Sequence, residues 1–131
     1  LELIDNRFDD SAEVSFEEKP ADGLVNQGLW LGPEVDGERA RHAAALTLTL
    51  TIGEQAPQRL DGRHPNPAPR EPLHWLAEFL RQRGQGLRAG QAVITGSYAG
   101  SFWLPAGVPI SLDYADAAGS LGTLVVQFEA R

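Results

Sequence analysis

Residues 46 to 52 read Leu46-Thr47-Leu48-Thr49-Leu50-Thr51-Ile52, alternating apolar and hydroxyl side chains without a fault. Side chains along a β-strand point to opposite faces in turn, so Leu46, Leu48, Leu50 and Ile52 share one face and three threonines the other. A strand with one face for a core and one for water sets the class of the whole chain.

Toward the C-terminus, Gly53-Glu54 suits a tight reversal into a second, poorer strand ending near Leu60. Residues 61 to 70, DGRHPNPAPR, hold three prolines, which propagate neither ladder nor helix, and are expected to form a loop. Pro72 then opens a helix to about Arg83, with Leu73, Leu76, Ala77 and Leu80 at i, i+3, i+4 and i+7 and Gly84 as its stop. Next, a short buried strand is expected over Ala92 to Ile94, leading into the turn Thr95-Gly96-Ser97. Strands near 108–115 and 121–128 follow, joined by the turn ADAAGS.

Toward the N-terminus, GPEVDGER reads as a polar turn, and Gly28 and Gly32 bracket a short buried strand, Leu29-Trp30-Leu31. Pro20 and Asp22 suit the first turn of a brief helix. Residues 13 to 19, EVSFEEK, alternate weakly, and LELIDNRF at 1–8 reads as a strand end running into a turn. The sum is mainly β with one amphipathic helix and one short one, an α+β domain over 1–131. Several of its strands have connections too short for parallel crossovers, which implies an antiparallel or mixed sheet curled into a roll or sandwich.

Eighteen acidic against eleven basic residues give a net charge of −7, the wrong sign for a phosphate backbone, so no nucleic-acid partner is expected. No apolar run is long enough to cross a bilayer as a helix, and the acidic opening segment is unlike a signal peptide; the expectation is a cytoplasmic protein without a membrane partner. Absence of cysteine excludes thiolate catalysis, zinc–thiolate sites and disulfides. The chain lacks Met and opens on structured-looking Leu-Glu-Leu-Ile, which reads as a fragment of something longer.

The remaining reactive groups are carboxylates, hydroxyls and three histidines. Glu2, Asp5, Asp9 and Asp10 offer hard oxygen ligands to Mg²⁺ or Mn²⁺, or form a solvated acidic turn. His64, on the proline-rich loop, could serve as acid, base or hydrogen-bond donor to a substrate, or be an imidazole without a role. His74 reads as a packing or surface residue, and His42 is given no part. Thr95-Gly96-Ser97 could hold a carboxylate or oxyanion, or be a turn capped by its own side chains.

Several stretches in order carry a family likeness. Leu1-Glu2-Leu3-Ile4-Asp5-Asn6-Arg7-Phe8 comes first, then Ala21-Asp22 with Asn26, Gly28 and Leu31-Gly32. Gly62-X-His64-Pro65, Pro72-Leu73-His74-Trp75-Leu76-Ala77 and Leu87-X-Ala89-Gly90-X-X-Val93-Ile94-Thr95-Gly96-Ser97 complete the series. Together they resemble the C-terminal half of the 2-keto-4-pentenoate hydratase and 4-oxalocrotonate decarboxylase group of the fumarylacetoacetate hydrolase superfamily.

The resemblance implies the superfamily's mixed β-roll and a lyase of aromatic-ring degradation. Such an enzyme binds a small 2-oxo acid through Mg²⁺ or Mn²⁺ held by three carboxylates, and the metal stabilises the enolate formed during reaction. Glu2 matches the third ligand, the other two and a catalytic lysine lying upstream of Leu1. Asp22 and His64 take catalytic parts, and Asn26, Thr95, Gly96 and Ser97 contact substrate. The family's Asp-Asn pair is here Asp22-Gly23, with the asparagine displaced to Asn26, and the Pro65–Pro72 loop is longer than in pentenoate hydratases. Decarboxylation, acylpyruvate-type C–C hydrolysis and a non-catalytic assembly role are the alternatives. A half-roll exposes strand edges and Leu1, Leu3 and Ile4, so a homo-oligomer or pairing with the missing N-terminal half is expected.

Overall fold

The computed structural model describes residues 1–5, 8 and 14–129. The chain forms two compact units, Leu1–Leu31 and Gly32–Arg131. Asn6, Arg7, Asp9, Asp10 and Glu13, which figured in the reading of the N-terminal stretch, lie outside the described residues.

The first unit is built on an antiparallel ribbon of β1 (Glu2–Ile4) and β2 (Asn26–Leu29), with a register irregularity between Leu3 and Ile4. Trp30 N–H donates to Leu1 O at 2.9 Å and Asp5 N–H to Val25 O at 2.9 Å, closing the ribbon at both ends. The strand expected over Leu29 to Leu31 thus lies earlier, and Trp30 and Leu31 are exposed rather than buried, Leu31 by 70%. A lone two-stranded ribbon has no second layer to cover them. Ile4 is exposed as well, while Leu1 and Leu3 are half-buried.

No helix opens at Pro20: residues 16–25 are turns, and Gly23, Leu24 and Val25 hold φ of 68, 55 and 64°. A glycine and a β-branched residue so near the start leave too few good helix formers to offset the cost of a first turn.

In the second unit a four-stranded sheet runs in the order β4 (Gln58–Arg63), β3 (Ala45–Ile52), β5 (Ile110–Asp116), β6 (Gly119–Val126). Every strand pairing among the described residues is antiparallel. The Leu-Thr alternation works as read, with Leu46, Leu48 and Leu50 buried and Ile52 partly so. The register sets Leu50, Leu112 and Leu124 in one row and Ile52, Ile110 and Val126 in the next. Ile110 and Leu112 are wholly buried; removing each such side chain from water contributes roughly 1.5–3 kcal/mol. Thr47, Thr49, Asp113 and Thr123 lie on the opposite, polar face.

The second strand runs past Leu60 to Arg63, so Asp61-Gly62-Arg63 belongs to the ladder rather than the loop. Gly62 makes this possible. A Cβ there would stand 2.7 Å from Leu48 Cδ1 and 2.9 Å from Tyr98 Cβ, so only glycine lets Tyr98 pack over the sheet.

The stretch read as a polar turn, residues 32–39, runs into α1 (Gly37–His42). Asp36 caps it, its Oδ1 accepting from Glu38 N–H at 2.9 Å and Arg39 N–H at 3.2 Å. The amphipathic helix is α2 (Glu71–Gln82), close to its expected bounds, with Gly84 beyond it at φ 68°. Its apolar face is only half covered, and none of its residues is fully buried.

The buried strand expected over Ala92 to Ile94 is absent: these residues are irregular, with Val93 and Ile94 37% and 43% exposed. At the end of β4 the N–H of Arg63 is taken by Tyr98 O at 2.8 Å, so this stretch meets the sheet by that bridge and not by a ladder. The result is mainly β, two antiparallel sheets with two helices. No helix among the described residues is long and apolar enough to cross a membrane.

Candidate functional site

The residues singled out by sequence fall into two groups, one in each unit. In the first unit, the β1–β2 ribbon brings Glu2 and Asn26 together. Asn26 Nδ2 donates to Glu2 Oε1 at 2.6 Å, a short bond to a charged acceptor. Gln27 Nε2 donates to the backbone oxygen of Asp5 at 2.9 Å, tying β2 to the end of β1 on the next residue.

The approach to Asn26 is strained. Leu24 and Val25 both occupy the left-handed region, which costs an L-residue roughly 1–2 kcal/mol and a β-branched one more. Asp22, just before this stretch, is buried with 5% of its surface exposed. A carboxylate under cover, a strained turn and an amide clasped to a second carboxylate thus occupy one short stretch of chain.

Mg²⁺ or Mn²⁺ takes about six oxygen ligands. Among the described residues no group of three or more His, Asp or Glu is placed to hold a metal ion. Glu2 is one exposed carboxylate with one oxygen already accepting from Asn26, and Asp9 and Asp10 lie outside the described residues. The residues present therefore supply one ligand and do not by themselves fit the ion.

In the second unit His64, just past β4, is buried to 4% exposure. Asn66 N–H points at Nδ1 at 3.0 Å, so Nδ1 is the acceptor and the proton sits on Nε2, which donates to Thr95 O at 3.1 Å. Both ring nitrogens are in use. The imidazole packs edge-on against Tyr98, with centroids 5.3 Å apart, and Tyr98 O–H donates to Ala43 O at 2.7 Å. Burial raises the Tyr98 phenol above its ordinary pKa.

Gly96 passes so close that a Cβ would stand 3.0 Å from His64 Nε2, at a φ of 144° that L-residues avoid. His64, Thr95 and Gly96 therefore meet, but through the backbone of the loop: the histidine pins the 95–98 segment to the end of β4. Ser97 caps its own turn, Oγ donating to Gly100 O at 2.8 Å. That is the self-capped alternative for the Thr-Gly-Ser turn.

His74 is exposed on α2, the surface alternative of its two readings. Sequence reasoning passed over Tyr98 and Arg39. Tyr98 follows directly on the Thr-Gly-Ser turn and holds both His64 and Ala43. Arg39 donates to Asp116 at 2.6 and 3.2 Å and to the backbone oxygens of Gly119 and Ser120, joining α1 to the turn between β5 and β6. The depression beside it, edged by Glu38, His42 and Ala117, thus has its guanidinium already committed. Only an acid–base pairing across distant residues would have flagged Arg39, and one sequence does not display pairings.

Comparison of the chain with models of protein families, with curated proteins and with solved structures found no match.

Proposed function

We propose that the chain is the C-terminal part of a lyase acting on a small 2-oxo acid in aromatic degradation, a hydratase of the 2-keto-4-pentenoate type. Its fold would be that of the fumarylacetoacetate hydrolase C-terminal β-roll and its setting the cytoplasm. The observation that carries the reading is the Glu2–Asn26 hydrogen bond: positions 24 residues apart, assigned to metal and to substrate by the resemblance, are neighbours on one ribbon.

In this reading Glu2 gives one carboxylate to Mg²⁺ or Mn²⁺, and the remaining ligands come from outside the described residues. With its further ligands supplied from outside the described residues, a site built on Glu2 would offer Lewis-acid chemistry to an acidic substrate. Asn26 orients the Glu2 carboxylate and leaves its second oxygen for the ion. Asp22, held at the strained turn, is the acid–base candidate of this unit. Both nitrogens of His64 are engaged, so within its own unit His64 acts by fixing the Thr95–Ser97 backbone.

Reading the transcript upstream of the Leu1 codon tests the proposal. A Glu-X-Glu pair is expected there, and in the protein so encoded Glu2→Gln should lower both Mn²⁺ affinity and turnover of an unsaturated 2-oxo acid at least a hundredfold. A reading frame without that pair would sink the lyase and leave the assembly role, which the exposed Leu31, Trp75 and Trp103 independently favour.

A further inference from the structure

The four-stranded sheet ends on β4 and β6, and the two edges differ. Natural sheets guard an open edge with charge, proline or a bulge, because unpaired backbone groups are a template for another strand. Strand β4 is guarded: it carries Arg59, Asp61 and Arg63 within six residues. Strand β6, Gly-Ser-Leu-Gly-Thr-Leu-Val-Val, is eight residues long with neither a charge nor a proline, and its one register irregularity falls at Leu121, which leaves Gly122 to Val126 regular.

The ladder decides which of its backbone groups are free. Gly53 N–H donates to Pro109 O, which continues the β3–β5 register and assigns the odd-numbered residues of β5 to β3. Ile110, Leu112 and Tyr114 then bond β6 at Val126, Leu124 and Gly122. Thr123 and Val125 turn their N–H and C=O groups outward, where no backbone bond to them forms among the described residues. The Val125 side chain beside them is 63% exposed.

We propose that β6 pairs antiparallel with β6 of a second copy of the chain, making one continuous sheet. Two edge strands related by a dyad perpendicular to the sheet run antiparallel. With the axis at Leu124, Thr123 of each copy faces Val125 of the other, so each outward N–H meets a C=O. Two bodies of charge −7 repel, and β6 is where they can meet with no charged side chain of its own on the strand, Arg39 touching only the Gly119 and Ser120 oxygens at its far end. The outer edges of the joined sheet are the two guarded β4 strands, so assembly stops at two copies rather than growing into a fibre. A strand seam covers less than the roughly 1,200 Å² of a standard stable interface, so the dimer dissociates on dilution.

Sedimentation of the 131-residue chain over a concentration series, with amide hydrogen exchange at each concentration, tests this. A reversible dimer is expected, with Thr123 and Val125 amides gaining protection as concentration rises while the Leu124 amide, already bonded to β5, does not change. Val125→Pro removes one outward donor from each strand and leaves the β5 ladder intact. With two hydrogen bonds lost at about fivefold each, association should weaken roughly twenty-five-fold. Should that variant lose Leu112 and Leu124 protection and so fail to fold, Val125→Lys, which sets a charge on the seam from an exposed position, decides in its place. A monomer at every concentration overturns the proposal, as does a dimer that the folded variants leave unweakened. Protection of Thr123 and Val125 independent of concentration also overturns it, since the edge would then be covered by the chain's own residues.

Discussion

Val25 is the most constrained residue of the first unit: a β-branched side chain at φ 64°, following Leu24 at φ 55°. Glycine adopts this conformation without steric cost, at the expense of some unfolded-state entropy, so Val25→Gly should stabilise the ribbon by about 1 kcal/mol net. The amide of Asp5, bonded to Val25 O, reports it: exchange there should slow about fivefold, and unchanged or faster exchange would mean the turn is unstrained. Gly62 is the opposite case, a residue fixed by neighbours rather than by φ. Gly62→Ala drives a methyl against Tyr98 Cβ and the backbone oxygen of Leu46, and should cost about 1–3 kcal/mol in urea unfolding. Neither position could be ranked from sequence. Glycine and valine are ordinary turn and strand residues until their neighbours are known. His64 likewise read as a loop imidazole available for chemistry, and its commitment to Asn66 and Thr95 is a tertiary fact.

Among the elements, those with strong local periodicity were legible and those defined by partners were not. The Leu-Thr strand, the helix with its 3.6-residue apolar spacing and the last two strands all lie within a few residues of their expected bounds. The apolar run at 92–94 lacked a partner strand, and α1 arose from an Asp36 cap hidden in a stretch rich in turn formers. Helix α1 is further tied by Arg39 to Asp116, and this pair has a pH signature. The hydrogen bond from Arg39 holds the Asp116 carboxyl below its ordinary value. A depressed carboxylate contributes stability in full above its unfolded pKa and loses it as pH falls through the lower, folded value. Unfolding midpoints followed from neutral pH down through the carboxylate range should therefore fall more steeply for the wild type than for Asp116→Asn. Parallel curves would show that the clip contributes nothing.

Considered whole, the molecule holds its two groups of candidate residues in separate units, Glu2, Asp22 and Asn26 in one and His64 to Ser97 in the other. With one carboxylate of the proposed metal set among the described residues, calorimetric titration of the chain with Mn²⁺ should give weak binding or none. Tight, stoichiometric binding that survives Glu2→Ala would remove Glu2 from the proposed role. The broad class, mainly β with an amphipathic helix, was legible because it rests on periodicity; the two-unit division was not, since it depends on which contacts form.

The strand order β4-β3-β5-β6 bears on how the chain reaches this state. Strands β3 and β4 adjoin in sequence, as do β5 and β6, so each hairpin can zip within microseconds of collapse. The central seam joins Ile52 to Ile110 across all of β4, α2 and the irregular segment after it, and must close that entire loop before any of its bonds form. Docking of two preformed hairpins is thus the step expected to be late and slow, with the Leu50–Leu112 pairing formed in it. A nick in the irregular segment after Gly84 would leave both hairpins whole, and recombination of the two pieces would then become a bimolecular reaction whose rate rises with concentration.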